Sequence, residues 1–183
     1  MKRINTFIIW VIFLFVSLSA QASDYSDLLL RTQASIYPKI VLLDRDVSVK
    51  THDTGVLLII VHLEKELEIA EKMKVLIEKQ YKGRIGNYPL NVELSTYKKL
   101  AMTKLATAYV LLDGTMEGQT DAARHASSNN RLSFTYNYNS LKVNALVSLI
   151  LKEKVYIYLN KDAVDDYGIR FLPTFYKIVK LLE

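Results

Sequence analysis

The sequence predicts a three-layer α/β/α sandwich on a mostly parallel sheet with an antiparallel C-terminal hairpin. Three observations carry this. Apolar runs alternate with amphipathic stretches from residue 24 to residue 136, an order that gives parallel strands joined by helical crossovers. Residues 55–62 (GVLLIIVH) are apolar almost without a break, as a strand covered on both faces must be. Residues 143–150 and 155–159 are two β-branched runs separated by Leu151-Lys152-Glu153-Lys154, which reads as a hairpin.

The N-terminus is the most specific signal. Lys2 and Arg3 precede unbroken apolar residues 7–16, and Ala20-Gln21-Ala22 follows. This is the order of a cleavable secretory signal peptide, too short for a stable membrane span. Cleavage after Ala22 leaves residues 23–183 as one domain and places it in the periplasm. Its loss lowers the formal net charge from +5 to +3. The remaining positive charges are scattered, which argues against a nucleic-acid partner. With 183 residues, half of them hydrophobic, the chain can bury one sizeable core. Six glycines and three prolines exclude a fibrous or disordered composition. There is no cysteine, hence no disulfide, thiolate metal site or redox control.

The elements then follow in order. Residues 24–37 read as a helix, with Pro38 permitting continuation only with a kink. Leu28, Leu29 and Leu30 are either a partner-binding ridge or a core-facing stripe, and apolar helix faces are usually buried. Residues 45–53 are loop-like and 55–62 a buried strand. Residues 64–81 form a charged helix with Ile69, Met73, Leu76 and Ile77 on one face and Glu68–Lys72 as a favourable i,i+4 pair. Glu64, Glu66, Glu68 and Glu71 crowd its start, where negative charge suits the helix dipole. No histidine stands with them, so no metal is expected. Residues 83–87 turn, 90–94 alternate as a strand, 96–105 read as a helix and 107–112 as a strand. Asp113-Gly114-Thr115 turns into a helix over 116–127, and 131–136 is a further strand.

After the hairpin, Asn160 is placed to cap a helix running through Asp165, and Gly168 to stop it. Pro173 then fits the first turn of a closing helix. Phe171, Phe175, Ile178, Val179 and Leu182 share one face of that helix, and Phe171, Phe175, Ile178 and Leu182 are expected to be buried against the sheet.

Enzyme signatures are absent: no dinucleotide or phosphate loop, no nucleophile elbow, no zinc-protease motif. No catalytic residue and no cofactor is therefore expected. His52, His62 and His125 have no ligand spacing. His62 follows a buried parallel strand, and Asp113 and Thr115 follow another at the same edge, where α/β folds bind ligands. A small-molecule site built from His62, Glu64, Asp113 and Thr115 stands against plain loop and cap roles for each. Twelve tyrosines are many for this length. Tyr136, Tyr138, Tyr156 and Tyr158 are the partner-binding candidates, because tyrosine offers large area and a polar tip at low entropic cost. Ordinary strand filling is the alternative.

The order of the last elements resembles the C-terminal end of the YfiR-like periplasmic family, through Asn160, Ala163, Gly168, Ile169, Phe171 and the residues around Phe175 and Ile178. Ile36-Tyr37-Pro38-Lys39-Ile40 with Leu43-Asp44-Arg45 is similar to that family's opening helix. Some members carry cysteine pairs that this chain lacks. The resemblance implies a periplasmic, non-enzymatic regulator, expected as a homodimer. It would bind the periplasmic sensor region of an inner-membrane signalling protein, a diguanylate cyclase controlling cyclic di-GMP or a sensor kinase. The other expectation is a small periplasmic solute-binding protein, since the alternation is similar to one lobe of such proteins. A single lobe lacks their interdomain cleft.

Overall fold

The computed structural model describes residues 27–51 and 55–182. The leader expected over residues 1–22, its cleavage site, and His52 lie outside these. The chain forms α1 (residues 27–41), α2 (Val47–Lys50), β1 (Val56–His62), α3 (Leu67–Tyr81), β2 (Arg84–Ile85), β3 (Tyr88–Thr96) and β4 (Ala108–Leu111). Then come α4 (Met116–Ser128), β5 (Leu132–Thr135), β6 (Val147–Leu151), β7 (Val155–Asn160), α5 (Lys161–Tyr167), α6 (Pro173–Tyr176) and β8 (Val179–Leu182). Short 3-10 segments cover Glu64–Glu66, Tyr97–Met102 and Tyr138–Val143.

One eight-stranded sheet has the order β2-β3-β1-β4-β5-β6-β7-β8. β3, β1, β4, β5 and β6 are parallel neighbours, and β6–β7 is the expected antiparallel hairpin. The sheet is thus mostly parallel, as the alternation predicts. β1 lies between β3 and β4, and all seven of its residues are buried. That is why residues 55–62 read as an unbroken apolar run.

The connection β1–α3–β3 runs one way along the sheet, and β4–α4–β5 runs the other. α3 and α4 therefore cover opposite faces. α1 joins α3: Lys72 bridges to Asp27 at 2.6 Å, and the Tyr81 hydroxyl donates to the Ser35 carbonyl at 2.5 Å. α5 joins α4: the Tyr167 hydroxyl donates to the Ala123 carbonyl at 2.8 Å. Both helices reach the sheet through small residues. Ala70 with Met73 and Ile77 is buried on α3, and Ala122, Ala123 and Ala126 are buried on α4.

Several expectations need correction. α1 is helical through Pro38 to residue 41 and splits the leucine triplet: Leu30 is in the core and Leu28 is exposed. On α3 the buried face is turned by one position, so Ala70 replaces Ile69, which is exposed. The helix expected over 96–105 is only the 3-10 segment Tyr97–Met102, because β3 extends to Thr96 alongside β1. The strand expected over 131–136 ends at Thr135. Tyr136 therefore lies just beyond the strand, and Tyr138 opens the 3-10 segment Tyr138–Val143. The strand expected from residue 143 begins at Val147, after a 3-10 segment that ends in left-handed Asn144.

The largest correction is at the C-terminus. Asn160 does cap α5, its side chain accepting from the Ala163 N–H at 3.1 Å, and Gly168 closes α5 at φ 61°. Pro173 does open a helix. That helix is only α6, and the chain returns as β8, parallel to β7. The spacing of Phe171, Phe175, Ile178 and Leu182 is helical, yet β7 offers an unpaired edge that residues 179–182 fill. Phe171 is extended instead, bridged to Asp44, with the Leu172 N–H donating to the Leu43 carbonyl at 2.8 Å. Phe171 and Phe175 are buried with ring centroids 4.4 Å apart, whereas Ile178 is 59% exposed. The same corner holds a buried ion pair, Lys50–Asp44 at 2.6 Å, and an exposed one, Arg170–Asp46.

Candidate functional site

The two connections that leave β1 and β4 in opposite directions create a topological switch point at the carboxyl edge of the sheet. In open α/β sheets that is where ligands bind. Parallel register places His62 opposite Thr96. At the same edge, one strand over from the switch point between β1 and β4, the residues at the ends of β1 and β3 form a crevice of about 310 Å³, lined by Leu63, Glu64, Lys65, Thr96, Tyr97 and Lys98.

His62 also lines the crevice and is only 4% exposed. Its Nδ1 sits 2.7 Å from the Leu63 carbonyl oxygen. Nδ1 must carry the proton to donate there, which leaves Nε2 as the acceptor in the neutral ring. This hydrogen bond goes to backbone, so no nucleophile–base or base–carboxylate pair is assembled on the imidazole. Thr96 Oγ1 is buried with no hydrogen-bond partner among the described residues, and so is Glu66 Oε2. Buried polar atoms of this kind cost free energy unless something meets them.

Tyr97 is the fixed wall. Its hydroxyl donates to the Leu112 carbonyl at 2.5 Å, and burial pushes its pKa up. Its ring lies across the start of α4. A Cβ on Gly114 would stand 2.7 Å from the ring, so that position excludes any side chain unless the ring moves. Behind Tyr97, burial raises the carboxyl pKa of Glu66, with the charge of Asp113 adding to the shift. Burial likewise raises Asp113, against a hydrogen bond from Asn137.

The structure therefore brings together part of the sequence-derived set. His62 and Glu64 line the crevice, and Asp113 lies behind it, close enough to act on Glu66. Thr115 is committed elsewhere: it caps α4 by accepting from the Gly118 N–H at 3.1 Å. His125 bonds Tyr109 near the start of β4, at the opposite edge. Thr96, Tyr97, Lys98 and Lys65 were not legible as site residues. The one signal that could have found them is the parallel register of β3 on β1, which sets Thr96 beside His62. Among the described residues, no group of three or more histidine or acidic side chains could hold a metal ion.

Three of the four tyrosines expected as partner-binding candidates, Tyr138, Tyr156 and Tyr158, meet at the far end of the sheet. Tyr138 and Tyr158 make an edge contact, with centroids 4.8 Å apart. Tyr156 lies between Lys180, 4.0 Å from its centroid, and Lys154 at 5.3 Å. All three rings are half-buried. Tyr136 packs against the core and lines a pocket with Tyr138, and Gln33 donates to its carbonyl at 2.8 Å.

No family model matches the sequence, and no curated protein matches it. Solved structures do share the fold. An ABC domain from Streptococcus pneumoniae, solved in complex with L-Trp, superposes with a TM-score of 0.53 at 12% identity, over 79% of this chain and 60% of that one. A conserved domain protein from Vibrio cholerae O1 biovar El Tor gives 0.54 at 11% identity, over 75% of this chain and 58% of that one. The chain thus spans less than two thirds of either structure's length. At such identities the likeness is one of fold. It agrees with the α/β/α architecture, and it is shared with a domain whose structure holds a small ligand. No helix among the described residues is long and apolar enough to cross a membrane.

Proposed function

We propose that this protein works by reversible binding rather than catalysis, and that it holds a small solute in the crevice at the carboxyl edge. The carrying observation is the crevice at the carboxyl ends of β1 and β3, lined by buried His62 and by the Tyr97 ring that its bond to the Leu112 carbonyl fixes in place. Shared fold with the L-Trp-bound ABC domain supports the reading. The three-part N-terminus supports export, and we place the mature protein, residues 23–183, in the periplasm. Purified mature chain should show saturable binding to a member of a broad small-solute library, with a concentration-dependent rise in melting temperature. Absence of binding by every solute would overturn the reading.

A second reading rests on the Tyr138–Tyr158–Tyr156 cluster flanked by Lys154 and Lys180. Half-buried aromatic rings suit the centre of a protein interface, with Lys154 and Lys180 at its rim. Together with the YfiR-like resemblance, they support binding to the periplasmic region of an inner-membrane signalling protein. Such a regulator shifts its partner only through unequal affinity for the partner's two states. Deleting the gene and measuring cyclic di-GMP or kinase output tests this, and no change in either would count against it.

A further inference from the structure

We propose that the solute is a small carboxylate with a flat apolar body, its carboxylate held between Lys65 and Lys98. This rests on the crevice being the binding site. Three features select the chemistry. Lys65 and Lys98 line the crevice from two sides, one after β1 and the other after β3, and neither forms a salt bridge among the described residues. Two ammonium groups brought to one crevice favour an anion. Glu64 at the side disfavours a second negative charge on the ligand, so the anion is a monocarboxylate rather than a phosphate or a dicarboxylate.

The body of the ligand is set by the walls. Leu63 and the Tyr97 ring provide apolar surface, and the ring cannot turn freely. It is tied by its hydroxyl to Leu112 and backed by Gly114 and Gly118, where an added Cβ would lie 2.7 Å and 3.4 Å from it. A ring held this way is a preformed stacking platform for a planar group. His62 Nδ1 is committed to the Leu63 carbonyl, which leaves Nε2 to accept from a ring N–H. These groups are built into the fold rather than gathered on a flexible surface: His62 is almost wholly buried, and Thr96 sits at the end of β3.

A matched series of probes separates the contributions: indole-3-acetate, L-Trp, tryptamine and indole, each titrated calorimetrically into the mature chain at low and high salt. Indole-3-acetate and L-Trp should bind, with affinity falling as salt rises. Tryptamine and indole should bind at least ~10-fold more weakly, the loss expected when a charge-assisted hydrogen bond is removed. The double variant Lys65→Gln/Lys98→Gln should reduce indole-3-acetate binding by a similar factor. It should leave the melting temperature of the free protein unchanged, because both lysines are exposed. Tryptamine binding as well as indole-3-acetate, indifference to the double variant, or no binding by any of the four would overturn the assignment. Saturable binding of an uncharged or cationic solute from the wider library would overturn it too, while leaving the solute-binding reading in place.

Discussion

Two regions of one sheet divide the work of the molecule. β1, in the middle of the parallel part, is buried along its whole length and flanked by strands on both sides. β7, near the edge, keeps only Leu159 fully buried and shows half-buried tyrosines stacked with lysines. In the first region each side chain is fixed by packing, and only the strand's end, at His62, is available for chemistry. In the second the strand's own face is on offer. A parallel strand covered on both sides can present function only at its carboxyl end, whereas an edge-proximal antiparallel strand can present it along its length.

The largest expected effects lie in the C-terminal segment that supplies the neighbour of β7. Phe175→Ala should cost ~3–5 kcal/mol, a large-to-small change in a fully buried site. Ile178→Ala, three positions on, should change stability by less than about 0.5 kcal/mol, because Ile178 faces solvent. Denaturant midpoints of the two variants decide between β8 and a continuous helix, which would bury both. Next in size is Lys50→Met. It removes the partner of Asp44, itself 2% exposed, and should cost ~3–5 kcal/mol by leaving a buried charge uncompensated.

Within the sheet itself, Ile60→Ala in β1 should cost ~2–5 kcal/mol in urea unfolding. Tyr156→Ala in β7 should cost only about 1 kcal/mol, the value of an exposed cation–π contact with some lost packing. Equal costs would mean that the β7 face is core and not a surface for partners.

The smallest effect is electrostatic. Glu66 and Asp113 have carboxyl pKa values raised in the folded protein, Glu66 first by burial and then by Asp113's charge. A raised pKa means that the folded state holds its proton more tightly than the unfolded chain. Any stability this gives is present at low pH and lost as pH rises through the folded pKa. At neutral pH the charged pair is therefore a mild liability. Glu66→Gln should raise the melting temperature slightly at pH 7, and the gain should fade as pH drops below the ordinary carboxylate range, where both carboxyls carry protons in folded and unfolded chain alike. A lower melting temperature at pH 7 would show that Glu66 has a favourable partner when charged.

The parallel part of the fold was legible because burial on both faces leaves no room for polar residues, and residues 55–62 show this directly. The α5 boundaries were legible because a cap and a left-handed stop need particular side chains, here Asn160 and Gly168. β8 was not, since Phe171, Phe175, Ile178 and Leu182 fit a helical period while Val179–Leu182 also fit a strand. Only the free edge of β7 decides between them, and that is a tertiary fact. The site was half legible for the same reason. His62 stands at the end of a readable strand, whereas Thr96, Tyr97 and Lys98 become neighbours of His62 only once β3 pairs with β1.

The most direct test of the central claim is a set of amide correlation spectra of residues 23–183, titrated with a mixed library of small carboxylates, amines and sugars. Binding at the crevice predicts saturable shifts confined to the neighbourhoods of His62–Glu66 and Thr96–Lys98, with the tyrosines of β7 unmoved. Shifts centred on Tyr156 and Tyr158, or none with any solute, would contradict it.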